Sequence, residues 1–103
     1  MNSLYIDTRD NKRIVVRLQA KSKTFEQSSE AHKDKAQAAL PLIEKVLKQA
    51  GLKVSDIEEI KVETGPGSFT GLRVGISIAN ALSFANSIKI NGKQIGEIEE
   101  PSY

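Results

Sequence analysis

The hydrophobic pattern of the chain changes period once, near residue 34, and this change limits the folds that the sequence can adopt. Before it, apolar and polar residues alternate in short runs, which is typical of half-buried β-strands. After it, apolar residues recur every three or four positions along two long segments, which is typical of helices that bury one side. With 103 residues, near the usual size for one core, the pattern predicts a single α/β domain.

Three strands are predicted in the first third of the chain. Leu4 to Ile6 precedes a polar turn at Asp10 and Asn11, and Arg13 to Leu18 follows as the antiparallel mate. Lys23 to Gln27 alternates weakly, and its charges are typical of an edge strand that avoids pairing with other sheets. Together these runs predict an antiparallel meander.

The first long helix is expected to begin near Asp34 and to end at Gly51, because glycine readily takes the left-handed conformation that closes many helices. Pro41 lacks the N–H that would bond back to Gln37, so we expect a kink or a local opening there. The residues predicted to face the core are Ala36, Ala39, Leu40, Ile43, Val46, Leu47 and Ala50.

A short helical turn, a strand, a second long helix and a last strand with its turn complete the chain. They are predicted at Ser55 to Glu58, Ile60 to Thr64, Ser68 or Thr70 to about Asn86, and Lys89 to Gly92. The spacing of Ser55 and Glu58 is that of a capping box. The order β-β-β-α-β-α-β predicts a mixed sheet of five strands, with an antiparallel hairpin and later strands joined by parallel crossovers. This is the order of a ribonuclease-H-like lobe of the actin/Hsp70 type, predicted over residues 1–92 and followed by a polar tail, 93–103.

The composition excludes several classes of function. The chain has no Cys and one His, which argues against a thiolate nucleophile, a disulfide scaffold and a clustered metal site. A net charge of +2 is too balanced for an electrostatic nucleic-acid clamp. No stretch has the ~20 apolar residues that span a bilayer, and we expect a cytoplasmic protein without a cofactor or a membrane partner.

The glycine-rich segment between the fourth strand and the second helix carries the most information. It comprises Thr64, Gly65, Pro66, Gly67, Ser68, Phe69, Thr70 and Gly71. It is not a P-loop, because Leu72 and Arg73 stand where that motif has Lys and Ser or Thr. It is not a nucleophile elbow, because Phe69 stands where that motif has Ser. Two interpretations stay open: a tight turn with Ser68 or Thr70 as N-cap, or a backbone site for an anion.

The second helix has two apolar sides. The side predicted to face the core comprises Leu72, Val74, Gly75, Ile78, Ala81, Leu82 and Ala85. The other side carries Arg73, Ile76, Ser77, Asn80, Ser83, Phe84 and Ser87, with one charge. Such a surface favours close packing against a partner, or cover by the chain's own last strand or tail. We predict a partner interface formed by Arg73, Ile76, Asn80 and Phe84 with Ala38, Leu42 and Lys45 of the first helix.

The segment TGPGSFTGLRVGISIANAL resembles the signature of the TsaB family, and the matching residues include Ile6-Asp7-Thr8 and Ala39-Leu40-Pro41. The resemblance spans roughly residues 4 to 90. It implies a non-catalytic dimerisation subunit, whose two long helices pack against those of a catalytic paralogue, TsaD. That paralogue, with an associated ATPase subunit, transfers threonylcarbamoyl to the tRNA adenosine beside the anticodon, so tRNA contact would be indirect.

Two departures from the family accompany the resemblance. The family has a second lobe of comparable size, and it has His where this chain has Lys35, with His32 nearby but out of register. Asp7 is interpreted as an ordinary strand-end acid rather than a remnant of a phosphate site. The alternatives are a nucleotide- or phosphate-binding protein using Asp7, Thr8 and the glycine loop, and a stand-alone homodimer.

Overall fold

The computed structural model describes residues 1–10, 12–30 and 35–102; for residues 35, 36 and 69 only the backbone is described. The predictions for Asn11, His32 and Asp34 therefore lie outside the described residues. The described ranges contain five strands and two α-helices, in the predicted order. They are β1 (Ser3–Asp7), β2 (Arg13–Ala20), β3 (Lys23–Glu30), α1 (Lys35–Ala50), β4 (Glu59–Val62), α2 (Phe69–Asn86) and β5 (Lys89–Ile90).

The strands form one mixed sheet in the order β3-β2-β1-β4-β5. β1 pairs antiparallel with β2, placing Leu4 beside Leu18, and β2 pairs antiparallel with β3. On its other side β1 pairs parallel with β4, placing Leu4 beside Ile60, and β4 pairs parallel with β5. The predicted mixed sheet of five strands is confirmed.

One face of this sheet is buried under both helices. Along β1 and β2 every second residue is buried, and the register places these residues on the same face. α1 packs against β2 and β3, α2 packs against β1, β4 and β5, and the helices contact each other. The opposite face, which begins with Ser3 and Tyr5, has no helix of the described chain on it.

The first helix ends as predicted. Gly51 has φ +71°, and the N–H of Leu52 bonds back to the carbonyl of Leu47 at 2.9 Å. The chain stays helical through Pro41, so the helix does not open there. Leu40 is 47% exposed rather than in the core, which corrects its prediction.

The short turn before β4 is a 3-10 helix at Val54–Asp56, and its hydrogen bond differs from the predicted one. The carboxylate of Asp56 accepts the N–H of Lys53 at 2.8 Å, so the turn is fixed two residues earlier than the Ser55 and Glu58 spacing suggested.

The core side of α2 is a further correction. The buried residues are Gly71, Leu72, Gly75, Ile76, Ala79 and Ser83, whereas Ala81 and Ala85 are exposed. The helix lies so close to the end of β1 that Gly75 has no room for a side chain. The larger Ile78 and Leu82 are half-buried at the flank of the helix. Ile76, predicted on the outward interface, is 3% exposed and belongs to the core.

Candidate functional site

The glycine-rich loop leads from the end of β4 into α2 and lies beside the residues that follow β1. Ser68 is the N-cap of α2, and its hydroxyl accepts the N–H of Gly71 at 3.3 Å. The N–H of Ser68 donates to the carbonyl of Arg9 at 2.9 Å. The loop is thus joined to the end of β1 by its own backbone.

Two glycines of this loop are required by the close approach of other parts of the chain. A Cβ on Gly67 would lie 2.9 Å from the Cβ of Arg9 and 3.0 Å from its carbonyl oxygen. Gly65 has φ +131°, and a Cβ there would overlap the backbone of Ser102. Pro66 and Thr70 are exposed. These contacts favour the tight-turn interpretation over an anion site.

A buried polar contact joins Thr8, the residue after β1, to α2. The hydroxyl of Thr8, fully buried, donates to the carbonyl of Gly71 at 2.6 Å and accepts the N–H of Gly75 at 3.2 Å. A Cβ on Gly75 would overlap that hydroxyl. Sequence reasoning missed this role of Thr8 and Gly75. The signal available was the spacing of Gly71 and Gly75, one helical turn apart at the start of a helix.

A charged cluster lies on the open face of the sheet, at the same end of β1. The Asp7 carboxylate accepts hydrogen bonds from Arg9 Nε at 3.1 Å and from Arg9 Nη2 at 3.0 Å. The Tyr5 hydroxyl donates to the Glu63 carboxylate at 2.7 Å, and Arg9 lies 3.7 Å from the same carboxylate. The guanidinium of Arg17 lies 5.0 Å from the centre of the Tyr5 ring.

The electrostatics of this cluster follow from its pairing. Burial disfavours the ionised form of Asp7, but its hydrogen bonds from the side chain and backbone of Arg9 outweigh burial and lower the pKa of the carboxyl. The hydrogen bonds and charge of Asp7 raise the pKa of Arg9. Burial and the hydrogen bond to Glu63 raise the pKa of the Tyr5 phenol. Asp7 therefore stays ionised near neutral pH and is engaged by its own neighbour.

An open depression of about 520 Å³ adjoins the cluster. Its lining residues are Tyr5, Glu59, Lys61, Val62, Glu63, Thr64, Asn91 and Gly92. Within the described ranges, no three His, Cys, Asp or Glu side chains come together as metal ligands would.

The predicted interface residues are only partly brought to one surface. On α2, Arg73 and Phe84 are exposed, and Phe84 is 84% exposed. Asn80 is half-buried because its amide pairs with the backbone of Glu99. On α1, Lys45 is exposed, whereas Ala38 and Leu42 are half-buried against the core. The interface itself stays a prediction.

Residues 91–102 form neither helix nor strand but lie against the lobe. Glu99 contacts Asn80 of α2 and Asn91 after β5, and the N–H of Ser102 donates to the carbonyl of Thr64 at 2.6 Å. Glu99 and Ser102 therefore tie this segment to α2 and to the start of the loop, and the division of the chain at residue 92 stays a prediction.

The fold and the loop define a class of protein: a single lobe of the actin-like type, with a glycine-rich turn between β4 and α2. The chain belongs to the family whose model is described as "TsaD: tRNA N6-adenosine threonylcarbamoyltransferase", which matches residues 21–92. Relatives named TsaB also match, which confirms the resemblance in the sequence.

The relatives are longer proteins. A tRNA N6-adenosine threonylcarbamoyltransferase of Syntrophus aciditrophicus is 43% identical over 56 residues, which are 54% of this chain and 17% of that protein. TsaB of Escherichia coli K12 is 35% identical over 60 residues, 58% of this chain and 26% of that protein. The structure of YeaZ from Pseudomonas aeruginosa matches with TM-score 0.83 and 27% identity over 90% of this chain and 43% of that one. This chain thus spans less than half of these relatives.

Across the described residues, no helix combines the length and apolar character needed to cross a bilayer.

Proposed function

We propose that this chain serves tRNA threonylcarbamoyladenosine biosynthesis as a non-catalytic subunit that binds a TsaD-type catalytic paralogue. The family match and the relatives named TsaB support the pathway. The paralogue's associated ATPase subunit would join the same assembly, and tRNA would be contacted through the partner.

The observation that carries this proposal is the exposure of Phe84. Its ring is 84% exposed on the side of α2 that faces away from the sheet. The exposed residues near it on the helix surface, Ser77 and Ala81, are small and uncharged. Small residues let a second helix approach to the usual 8–10 Å, and an aromatic side chain among them supplies a large apolar contact.

The polar groups at the loop end of β1 support a role without catalysis. Asp7 is engaged by Arg9, and Thr8 by the backbone of α2. The loop backbone is likewise used by the chain itself, since Ser68 donates to Arg9. A general acid or base needs a group that reaches a substrate, and these groups are directed at one another.

The test compares aspartate at two positions of α2. Phe84→Asp places a charge on the surface, so the protein should stay folded and lose at least about 100-fold in affinity for the paralogue. Ile76→Asp buries an unpaired charge and should unfold the protein. Circular dichroism reports folding, and light scattering or calorimetry with purified TsaD paralogue reports binding.

Ile95→Asp is the matched control, because Ile95 is 57% exposed and lies outside the helices. It should bind like the parent. A folded Phe84→Asp protein with parental affinity would place the partner elsewhere. Light scattering of each protein alone separates a homodimer from a heterodimer.

A further inference from the structure

Residues 97–102, here called the strap, cross from α2 to the end of β4. At α2 the side-chain amide of Asn80 pairs with the backbone of Glu99 in both directions. The Glu99 N–H donates to Asn80 Oδ1 at 2.8 Å, and Asn80 Nδ2 donates to the Glu99 carbonyl at 3.0 Å. One amide side chain therefore holds the strap as a neighbouring strand would.

The strap has two further anchors. The Glu99 carboxylate accepts from Asn91 Nδ2 at 2.7 Å and lies 3.9 Å from Lys93 Nζ. The backbone N–H of Ser102 donates to the carbonyl of Thr64 at 2.6 Å. The Glu99 side chain is 16% exposed, so these contacts are partly shielded from water.

Polar contacts hold the strap in place. None of its residues is buried, and its aliphatic side chain, Ile98, is 61% exposed. Each hydrogen bond exchanges for one with water when the segment lifts, so opening requires little free energy. A segment of this kind opens locally while the core stays folded.

The strap also borders the surface that we assign to the partner. Asn80 and Phe84 are four residues apart in α2, so they lie on successive turns about 40° apart around the helix axis. A helix that packs over Phe84 covers a width of about 10 Å and meets the strap at Asn80.

We propose that the strap is a displaceable autoinhibitory contact that narrows the α2 surface and opposes docking there. This inference rests on the proposed function, since it regulates the same surface. Lifting the strap uncovers Asn80, whose amide then becomes available to the incoming partner.

The test uses the double variant Glu99→Ala/Ser102→Pro, which removes the carboxylate anchor and the donor to Thr64. Neither residue is buried, so the core should stay intact. Glu100→Ala is the matched control, with the same loss of charge one position along the strap, where the side chain is exposed.

The first measurement is amide hydrogen exchange followed by NMR. In the parent, the amide of residue 99 should be protected, but less than that of Ala79 in the core of α2. In the double variant this protection should fall at least tenfold, and in the control it should not change. Equal protection of residues 99 and 79 in the parent would contradict a displaceable strap.

The second measurement is affinity for the TsaD paralogue by calorimetry. The double variant should bind about tenfold more tightly than the parent, as the loss of a few hydrogen bonds allows. Equal or weaker binding by the double variant would overturn autoinhibition and leave the proposed function in place. If neither protein binds although the strap opens, the proposed function itself is wrong.

Discussion

Asp7 at the end of β1 and Thr8 directly after it make polar contacts on opposite faces of the sheet, and the contacts differ in what replaces them when they break. On the covered face the hydroxyl of Thr8 bonds two backbone groups of α2 in a fully buried position. On the open face Asp7 bonds Arg9, whose side chain is 41% exposed. Water can replace the partner of Asp7, but no water reaches Thr8. Two adjacent residues, one ending β1 and one following it, therefore contribute to stability to different extents.

The two contacts also connect different parts of the lobe. Thr8 fixes the distance between β1 and the first turns of α2, and so it positions the surface that carries Phe84. Arg9 bridges Asp7 of β1 and Glu63 after β4, and so it fixes the loop end of the sheet. The Thr8 contact therefore sets where α2 lies on the sheet. The Arg9 ion pairs hold the charged side chains at the loop end of the sheet.

Gly75→Val should produce the largest effect. A side chain at this position overlaps the Thr8 hydroxyl, so α2 must move or Thr8 must give up both hydrogen bonds. We expect a loss of about 3 kcal/mol or more in the free energy of unfolding, measured by urea denaturation. Ala81→Val, on the exposed side of the same helix, should cost about 0.5 kcal/mol. Similar losses in the two variants would mean that α2 is not closely packed at Gly75.

Thr8→Val should have an intermediate effect. The substitution keeps the shape of the side chain but removes both hydrogen bonds that the hydroxyl makes to the backbone of α2 in a buried position. The expected loss is about 1–3 kcal/mol in the free energy of unfolding. Thr8→Ser retains the hydroxyl and should recover part of it. If the Thr8→Val variant were as stable as the parent, the Thr8 side chain would contribute packing alone.

Asp7→Asn should have the smallest effect, and it should depend on pH. The pKa of Asp7 is lowered in the folded state, so its contribution is present above the unfolded pKa of about 3.9 and is lost as pH falls through the folded value. At neutral pH the parent should be more stable than the variant by about 1 kcal/mol or less. The difference should shrink below about pH 4 in denaturation measured from pH 3 to 7. A difference that is constant over this range would contradict the ion pair.

The helices and strands could be predicted because each depends on residues that are close together in the sequence. The alternation in β2 and the glycine after α1 specify local conformation, and both were predicted. The order of elements then limits the sheet, because a strand, a helix and a strand in succession favour a parallel crossover. Local pattern and connectivity therefore account for the fold.

The orientation of α2 could not be predicted in the same way. Hydrophobicity placed Ile78 and Leu82 at the core, whereas in the structure both are half-buried and Ile76 and Ala79 are buried. Which side of α2 is buried depends on the distance between the helix and the sheet. Thr8 sets this distance through its hydrogen bond to Gly71, which is 63 residues away in the sequence. The error moved Ile76 from the core to the predicted interface.

The amide of Asn91 has a consequence for how the sheet ends. β5 pairs with β4 only as far as Ile60, and beyond it the N–H and carbonyl of Val62 bond the Asn91 side chain at 2.9 and 3.0 Å. A side-chain amide carries the same donor and acceptor as a peptide group, so it occupies the position of a missing residue of strand. Exposed strand edges recruit further strands and lead to aggregation. One asparagine thus covers the edge of β4 at Val62, where β5 is too short to pair with it.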